Sequence, residues 1–263
     1  MNGIVDKGSG TPIVLITGLQ GRWEWMRPTV DAVAKHYRVI TFSLCDERTS
    51  RFPCDPEKGF DNYIEQIDLA LDRAGLEHAV MLGVSYGGLI AFEYAARRPH
   101  RVNGLVLASA LHTSWQPDSR QQRYLKAPRL LSPLFIATAP LRLRPEIVAA
   151  LPSLSARLRF SAWHTARAVL SPTTPLRMAR RIAWARSHHF ANPRSVKAPA
   201  LVVTGEPVLD RVLPVEVTRR YLEDLHSARH VILEHTGHLG SVTRPGEFAD
   251  VLGRFVDGVR RCA

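Results

Sequence analysis

Short runs rich in Val, Ile and Leu alternate along this chain with segments of helical periodicity, and that alternation narrows the possible folds more than any other feature. A continuous apolar run reads as a strand buried on both faces, and strands separated by helices read as βαβ units around a mostly parallel sheet. Strands are expected at Pro12–Thr17, Tyr37–Ser43, Ala79–Val84, Gly104–Ser109, Pro199–Thr204 and His230–Glu234. Helices are expected at Pro28–His36, Asn62–Ala74, Gly88–Arg98, Val215–Leu225 and Gly246–Gly258. In the second of these, Ile64, Ile67, Leu71 and Ala74 share one face, as an amphipathic helix requires.

The pattern stops after Ala110 and resumes near Val196. Nine of the 18 prolines lie in between, from Pro117 to Pro193, and predict a segment cut into short helices. A structureless loop of that length would be unusual in a compact domain. The charge is as uneven as the prolines. The chain has 35 Lys and Arg against 24 Asp and Glu, a net +11. Residues 112–196 carry fourteen of those cations and two acids, Asp118 and Glu146, so this segment is +12 and the remainder −1. The expected organisation is a core of residues 1–111 and 196–263 with an inserted helical cap at 112–195.

Composition excludes several classes. With 45% hydrophobic and 22% charged residues in 263, the chain is an ordinary globular one, neither disordered nor fibrous. No apolar run nears the ~20 residues of a membrane-spanning helix, so no integral membrane association is expected. Met1 to Asp6 lacks the basic start and apolar stretch of a signal peptide, and three cysteines do not make a disulfide framework, so a cytoplasmic location is expected. A pI near 10.2 raises nucleic-acid binding. No zinc-ligand spacing, helix-turn-helix signature or ribonucleoprotein aromatic motif accompanies it, and no nucleic-acid partner is expected.

The chemistry starts at Gly83-Val84-Ser85-Tyr86-Gly87, a G-x-S-x-G element that follows an expected strand and opens an expected helix. In that context the glycines permit a sharp turn, and the serine hydroxyl stands at a helix N-terminus above the sheet. A serine needs a base, and the base a third group to orient it. His238, in His235-Thr236-Gly237-His238 just past the last strand, is the favoured base, with His235 as its neighbour and competitor. The loop after the penultimate strand offers Glu206 and Asp210. Asp210 is favoured because it stands farther along the loop and keeps the order serine, acid, histidine.

Together these residues resemble the α/β-hydrolase fold superfamily over about residues 11–111 and 196–258. The resemblance implies a mostly parallel sheet of six or seven strands flanked by helices, because too few residues precede Pro12 for a full opening hairpin. It implies a catalytic triad of Ser85, Asp210 and His238. It also implies an oxyanion hole formed by the backbone N–H groups of Leu19, in Thr17-Gly18-Leu19-Gln20-Gly21, and of Tyr86. The activity it implies is a serine hydrolase cleaving carboxylic esters of small molecules, with no metal or organic cofactor. Esters with a remote negative charge would suit the basic cap. Acyltransfer and cofactor-free haloperoxidase-like activity would use the same triad, and a non-catalytic receptor can occupy this fold. Ser85 argues against the dehalogenases and epoxide hydrolases, which carry aspartate at the elbow.

The chain departs from the superfamily pattern at Thr17, where histidine often precedes the oxyanion-loop glycine, and at Cys45-Asp46-Glu47-Arg48-Thr49-Ser50, where a glycine-rich turn is usual. Two smaller features carry expectations. His188-His189 reads as a solvated helix end without an acidic partner. The twelve uncharged residues from Leu130 to Leu141 read as a lid lining an acyl pocket.

Overall fold

The computed structural model describes residues 3–131 and 138–262. Seven strands form one sheet in the order β1-β3-β2-β4-β5-β6-β7. They are β1 (Val5–Lys7), β2 (Pro12–Ile16), β3 (Arg38–Thr41), β4 (Ala79–Val84), β5 (Val102–Ala108), β6 (Ala200–Thr204) and β7 (Ala228–Ile232). β1 pairs antiparallel with β3, and every other pairing is parallel. The helices of the core are α1 (Arg27–Val33), α2 (Asp61–Ala74), α3 (Tyr86–Arg97), and, after β6, α8 (Val215–Arg219), α9 (Tyr221–Asp224), α10 (Gly240–Thr243) and α11 (Pro245–Cys262). Between β5 and β6 lies an insertion with α4 (Ser119–Lys126), α5 (Ala139–Ala150), α6 (Leu154–Leu170) and α7 (Pro175–Ser187).

Strand side chains alternate between faces, and the two faces bury two separate clusters. Val14 and Ile16 join Ile64, Ile67, Leu89 and Phe92, beneath α2 and α3. Ile13 and Leu15 point the other way, to Val30, Val33, Phe248 and Leu252 of α1 and α11. The central strands β4 and β6 are buried throughout, which explains their unbroken apolar sequence. At the sheet's edge β7 has only half-buried and exposed residues, none fully buried. It starts at Ala228, two residues before the expected His230, because the register with β6 pairs Ala200 with Ala228 and Thr204 with Ile232. Polar Arg229 and His230 are tolerated on such an edge. The short β1 was not expected from sequence; its three residues carry two charges and are held by pairing with β3.

The prolines divide the insertion less than expected. Pro145 lies inside α5, and α6 runs for 17 residues. Pro145 deprives the Leu141 carbonyl of its intrahelical donor, and Leu141 lies at the surface, 69% exposed, where losing that bond is least costly. Leu130, at the other end of the expected lid stretch, is 78% exposed. Both ends are thus exposed, and residues 132–137 of that stretch lie outside the described residues. No described helix is long and apolar enough to cross a membrane.

Candidate active site

Five loops that leave the carboxyl ends of β2, β3, β4, β6 and β7 meet at one rim of the sheet. Ser85 stands between β4 and α3 with φ 54 and ψ −118, a conformation that non-glycine residues avoid at a cost of roughly 1–3 kcal/mol. Its neighbours enforce the turn. A Cβ on Gly83 would come within 2.4 Å of the Gly87 carbonyl oxygen, and one on Gly87 within 2.3 Å of the Ile16 oxygen. The Ser85 backbone is anchored as well, its N–H donating to Ala108 O and its carbonyl accepting from Leu111 N–H and Gly88 N–H.

His238 Nε2 lies 3.1 Å from Ser85 Oγ, and His238 Nδ1 lies 3.3 Å from Asp210 Oδ2. The other Asp210 oxygen accepts the N–H groups of Val212 (3.0 Å) and Leu213 (2.9 Å), which fixes the carboxylate. The two loops that carry the pair touch backbone to backbone. Glu206 N–H donates to Thr236 O at 2.7 Å, and a Cβ on Gly237 would come within 2.5 Å of Leu209 O. Glycine before His238 therefore lets the histidine loop close on the acid loop. The residues that compete in the sequence are turned elsewhere. Glu206 accepts the backbone N–H of His235, and His235 is exposed with φ 58.

Burial disfavours the imidazolium, but the charge of Asp210, its hydrogen bond and the nearby Glu146 outweigh it, so His238 titrates above 6.5. Burial likewise opposes the Asp210 carboxylate, and His238 with the Leu213 and Val212 N–H groups overcomes it, holding Asp210 below 3.8.

Leu19 and Tyr86 come from two segments that flank Ser85, the loop after β2 and the start of α3. The loop that carries Leu19 runs against the serine: a Cβ on Gly18 would be 3.4 Å from Ser85 Cβ. Gly21 N–H donates to Gly18 O at 2.9 Å and closes this loop as a turn. Tyr86 opens α3, so its N–H is one of the helix's first donors and has no intrahelical acceptor.

Two insertion residues that sequence reading did not place at the site reach it, and two further contacts tie the insertion to the core. From α5, Glu146 (1% exposed) accepts the Leu239 N–H at 2.8 Å, beside His238, and burial raises its pKa to about 7. From α7, Arg181 is fully buried against Asp46 and Glu47, which follow β3, and donates to Leu19 O at 2.7 Å. His188 also has an unexpected acid: its Nε2 is 2.9 Å from Glu93 Oε1, and its ring stacks on Phe60. It packs the end of α7 onto the core instead of pointing into water. Trp25 adds a further tie, its indole N–H donating to Ser171 O. No cluster of His, Cys, Asp and Glu suited to a metal ion occurs among the described residues.

A family model described as alpha/beta hydrolase fold matches residues 11–245. This chain belongs to the α/β-hydrolase fold family. Over 95% of its length it is 26% identical to 2-hydroxymuconate semialdehyde hydrolase of Pseudomonas sp. (strain CF600), covering 88% of that protein. Among solved structures it resembles the enol-lactonase of Burkholderia xenovorans LB400, with a TM-score of 0.78 and 21% identity over 97% of this chain and 95% of that one. The esterase of Exiguobacterium antarcticum superposes with a TM-score of 0.76 and 18% identity, over 97% and 94% of the two chains. The two structural likenesses show the fold, and the named hydrolase relative supports an enzyme of the α/β-hydrolase type. The seven-stranded sheet follows the family's mostly parallel plan, within the expected six or seven strands.

Proposed function

We propose that the protein is a serine hydrolase that cleaves carboxylic esters through an acyl-enzyme on Ser85. The observation that carries this reading is the chain of contacts from Ser85 Oγ to His238 Nε2 and from His238 Nδ1 to Asp210, at 3.1 and 3.3 Å. A hydroxyl held this way can lose its proton as it attacks, and the carboxylate keeps the imidazole in the tautomer that accepts it.

In this reading Ser85 Oγ bonds to the ester carbonyl carbon while its proton moves to His238 Nε2. The carbonyl oxygen becomes an oxyanion and takes hydrogen bonds from the N–H groups of Leu19 and Tyr86. Losing one such donor typically costs about 2.7–4 kcal/mol of barrier. His238 returns the proton to the departing alkoxide, which leaves as the alcohol. Water, deprotonated by His238, then attacks the acyl-enzyme and releases the acid and free Ser85. Strain at the elbow and the fixed loops on either side place these groups before substrate arrives, so little reorganisation is left for the reaction.

The insertion acts as a cap on this centre, since α5 and α7 both bond to its loops. An anionic preference draws less support than the +12 segment promised: Arg177, Arg180 and Arg181 pair with Asp46 and Glu47 instead of facing a substrate. The test is a fluorophosphonate probe together with short p-nitrophenyl esters. Labelling mapped to Ser85 and ester turnover are expected. A folded protein that shows neither would overturn the reading.

A further inference from the structure

One insertion residue touches both walls of the proposed oxyanion hole. Arg181 Nη1 donates to the Leu19 carbonyl at 2.7 Å, and the Tyr86 hydroxyl donates to the Arg181 carbonyl at 2.8 Å. We propose that Arg181 is the positioning residue of the oxyanion hole, holding the Leu19 and Tyr86 donors in register from the insertion. The proposal rests on the serine-hydrolase reading above.

The guanidinium is fixed on every side. Nε and Nη2 donate to Asp46 Oδ1 at 3.1 and 2.9 Å, and Nη2 also donates to Glu47 Oε1 at 2.5 Å. With the Leu19 bond, four of its five N–H donors are used. Arg180, next to it in α7, and Arg177, one turn earlier, brace the same two carboxylates at 3.3 and 3.7 Å. A side chain so bound cannot swing out to meet a substrate carboxylate. It can hold a loop.

The loop is shaped to it. Gly21 has φ +73, and a Cβ there would lie 2.3 Å from three guanidinium atoms, so the turn rests directly on the plane of Arg181. Gly21 O accepts Leu44 N–H at 2.7 Å, which ties the far end of the turn to the segment carrying Asp46. Residues 18–21 are thus held between the guanidinium on one side and Ser85 on the other. On the other wall, Tyr86 is wholly buried beside the rings of Phe60 and Tyr63, and its hydroxyl ends on Arg181 O.

This arrangement joins the two departures from the superfamily pattern. The Thr17 hydroxyl donates across the base of the turn to Arg22 O, at 3.3 Å, whereas the Leu19 carbonyl at its tip is held by Arg181. Asp46 and Glu47, in place of a glycine-rich turn, hold that arginine. Arg181 fixes the Leu19–Gln20 peptide through the Leu19 carbonyl, and the Gly18–Leu19 peptide, which carries the Leu19 N–H, is held through Gly18 O by the N–H of Gly21, the residue that rests on the guanidinium. An oxyanion donor displaced by about 1 Å can cost roughly a hundredfold in rate.

The test compares wild type with Arg181→Lys, with Arg181→Met combined with Asp46→Asn and Glu47→Gln so that no buried charge is stranded, and with Tyr86→Phe. Each is measured for kcat and KM per site titrated by fluorophosphonate, for affinity toward a trifluoromethyl ketone that forms a tetrahedral adduct on Ser85, and for melting temperature. The Arg181 variants are expected to lose about tenfold to a hundredfold in kcat with KM within about twofold, and ketone affinity should fall by the same factor. Tyr86→Phe should lose several-fold in both. Lower melting temperatures with kcat per titrated site and ketone affinity unchanged would make Arg181 a stability residue and overturn the proposal. If neither Arg181 variant folds, Tyr86→Phe decides in the same way. Wild type that neither labels at Ser85 nor turns over ester overturns the hydrolase reading itself, a result distinct from active wild type with indifferent variants.

Discussion

Glu146 of the insertion and Leu239 of the histidine loop are joined by a 2.8 Å hydrogen bond, side-chain oxygen to backbone N–H. The bond sets a second carboxylate next to His238, on a different element from Asp210. It also buries a group whose charge is costly there: desolvation outweighs the Gly237 and Leu239 N–H groups and the His238 charge, and the carboxyl titrates at about 7. Between pH 4.5 and 7 the folded protein therefore keeps a proton that the unfolded chain has lost. The stability linked to Glu146 falls as pH rises through that window and is level above it. Glu146→Gln keeps the acceptor and cannot ionise. It is expected to match wild type near pH 4 and to be more stable by up to about 3 kcal/mol at pH 8, read by urea unfolding at both pH values. Equal stabilities at pH 8 would contradict this.

The same variant has a kinetic signature. His238 must be neutral to accept a proton, and its pKa lies above 6.5, so kcat/KM is expected to fall on the acid side through a value above 6.5. Glu146 is one of the charges that hold it there. Glu146→Gln should move this acid limb to lower pH, and a pH–rate profile that stays fixed or moves up would count against the coupling.

Ser85→Ala and His238→Ala are each expected to lower kcat by about 10⁴-fold or more, with circular dichroism unchanged. The double variant should be hardly worse than either single one, because the pair acts as a unit. Ester turnover by purified Ser85→Ala at near wild-type rate would sink the mechanism.

Asp210→Asn and Glu206→Gln separate the two acids of one loop. Asp210 faces His238 Nδ1, and its replacement should cost about 10⁴-fold in kcat by disturbing the imidazole tautomer. Glu206 holds a backbone N–H of the histidine loop, and its amide should cost less than about tenfold, mostly in melting temperature. The reverse ranking in steady-state kinetics would reassign the acid.

Gly21→Ala places a methyl group where Arg181 already lies, at a positive φ. The guanidinium is pinned and cannot retreat freely, so Ala is expected to lower stability by roughly 1–3 kcal/mol and kcat with it, whereas Gly75→Ala, also at positive φ but with open space around it, should lower stability alone. Thermal melts and ester kinetics on the two variants check the contrast.

What was legible in the sequence was what local pattern controls. Unbroken apolar runs marked β4 and β6, spacing of Ile64, Ile67 and Leu71 marked α2, and small residues around Ser85 marked a turn that only glycine neighbours allow. Loop order brought out Asp210 and His238, because strand ends deliver their loops to one rim. The contacts that escaped all span long stretches of chain. Arg181 is 135 residues from Asp46, Glu146 is 93 from Leu239 and His188 is 95 from Glu93. Nothing near Arg181 distinguishes it from the other cations of the insertion, and its partner is known only once β3 and α7 are folded together. The charge asymmetry did carry this information in a coarse form: an acid pair left in the core loop answers three arginines on one helix.

The Asp46–Glu47–Arg181 cluster also limits how this scaffold can be rebuilt. Segments inserted between β5 and β6 invite exchange as modules, one graft per new specificity. Here the graft would carry away the arginine and strand two buried carboxylates behind the turn that contains Gly21. A chimera that keeps Ser85, Asp210 and His238 would still inherit a destabilised core and a slack Leu19 loop. Transplantation would succeed as a set of loop, acid pair and helix α7, and selectivity in such a protein could not be redesigned independently of turnover.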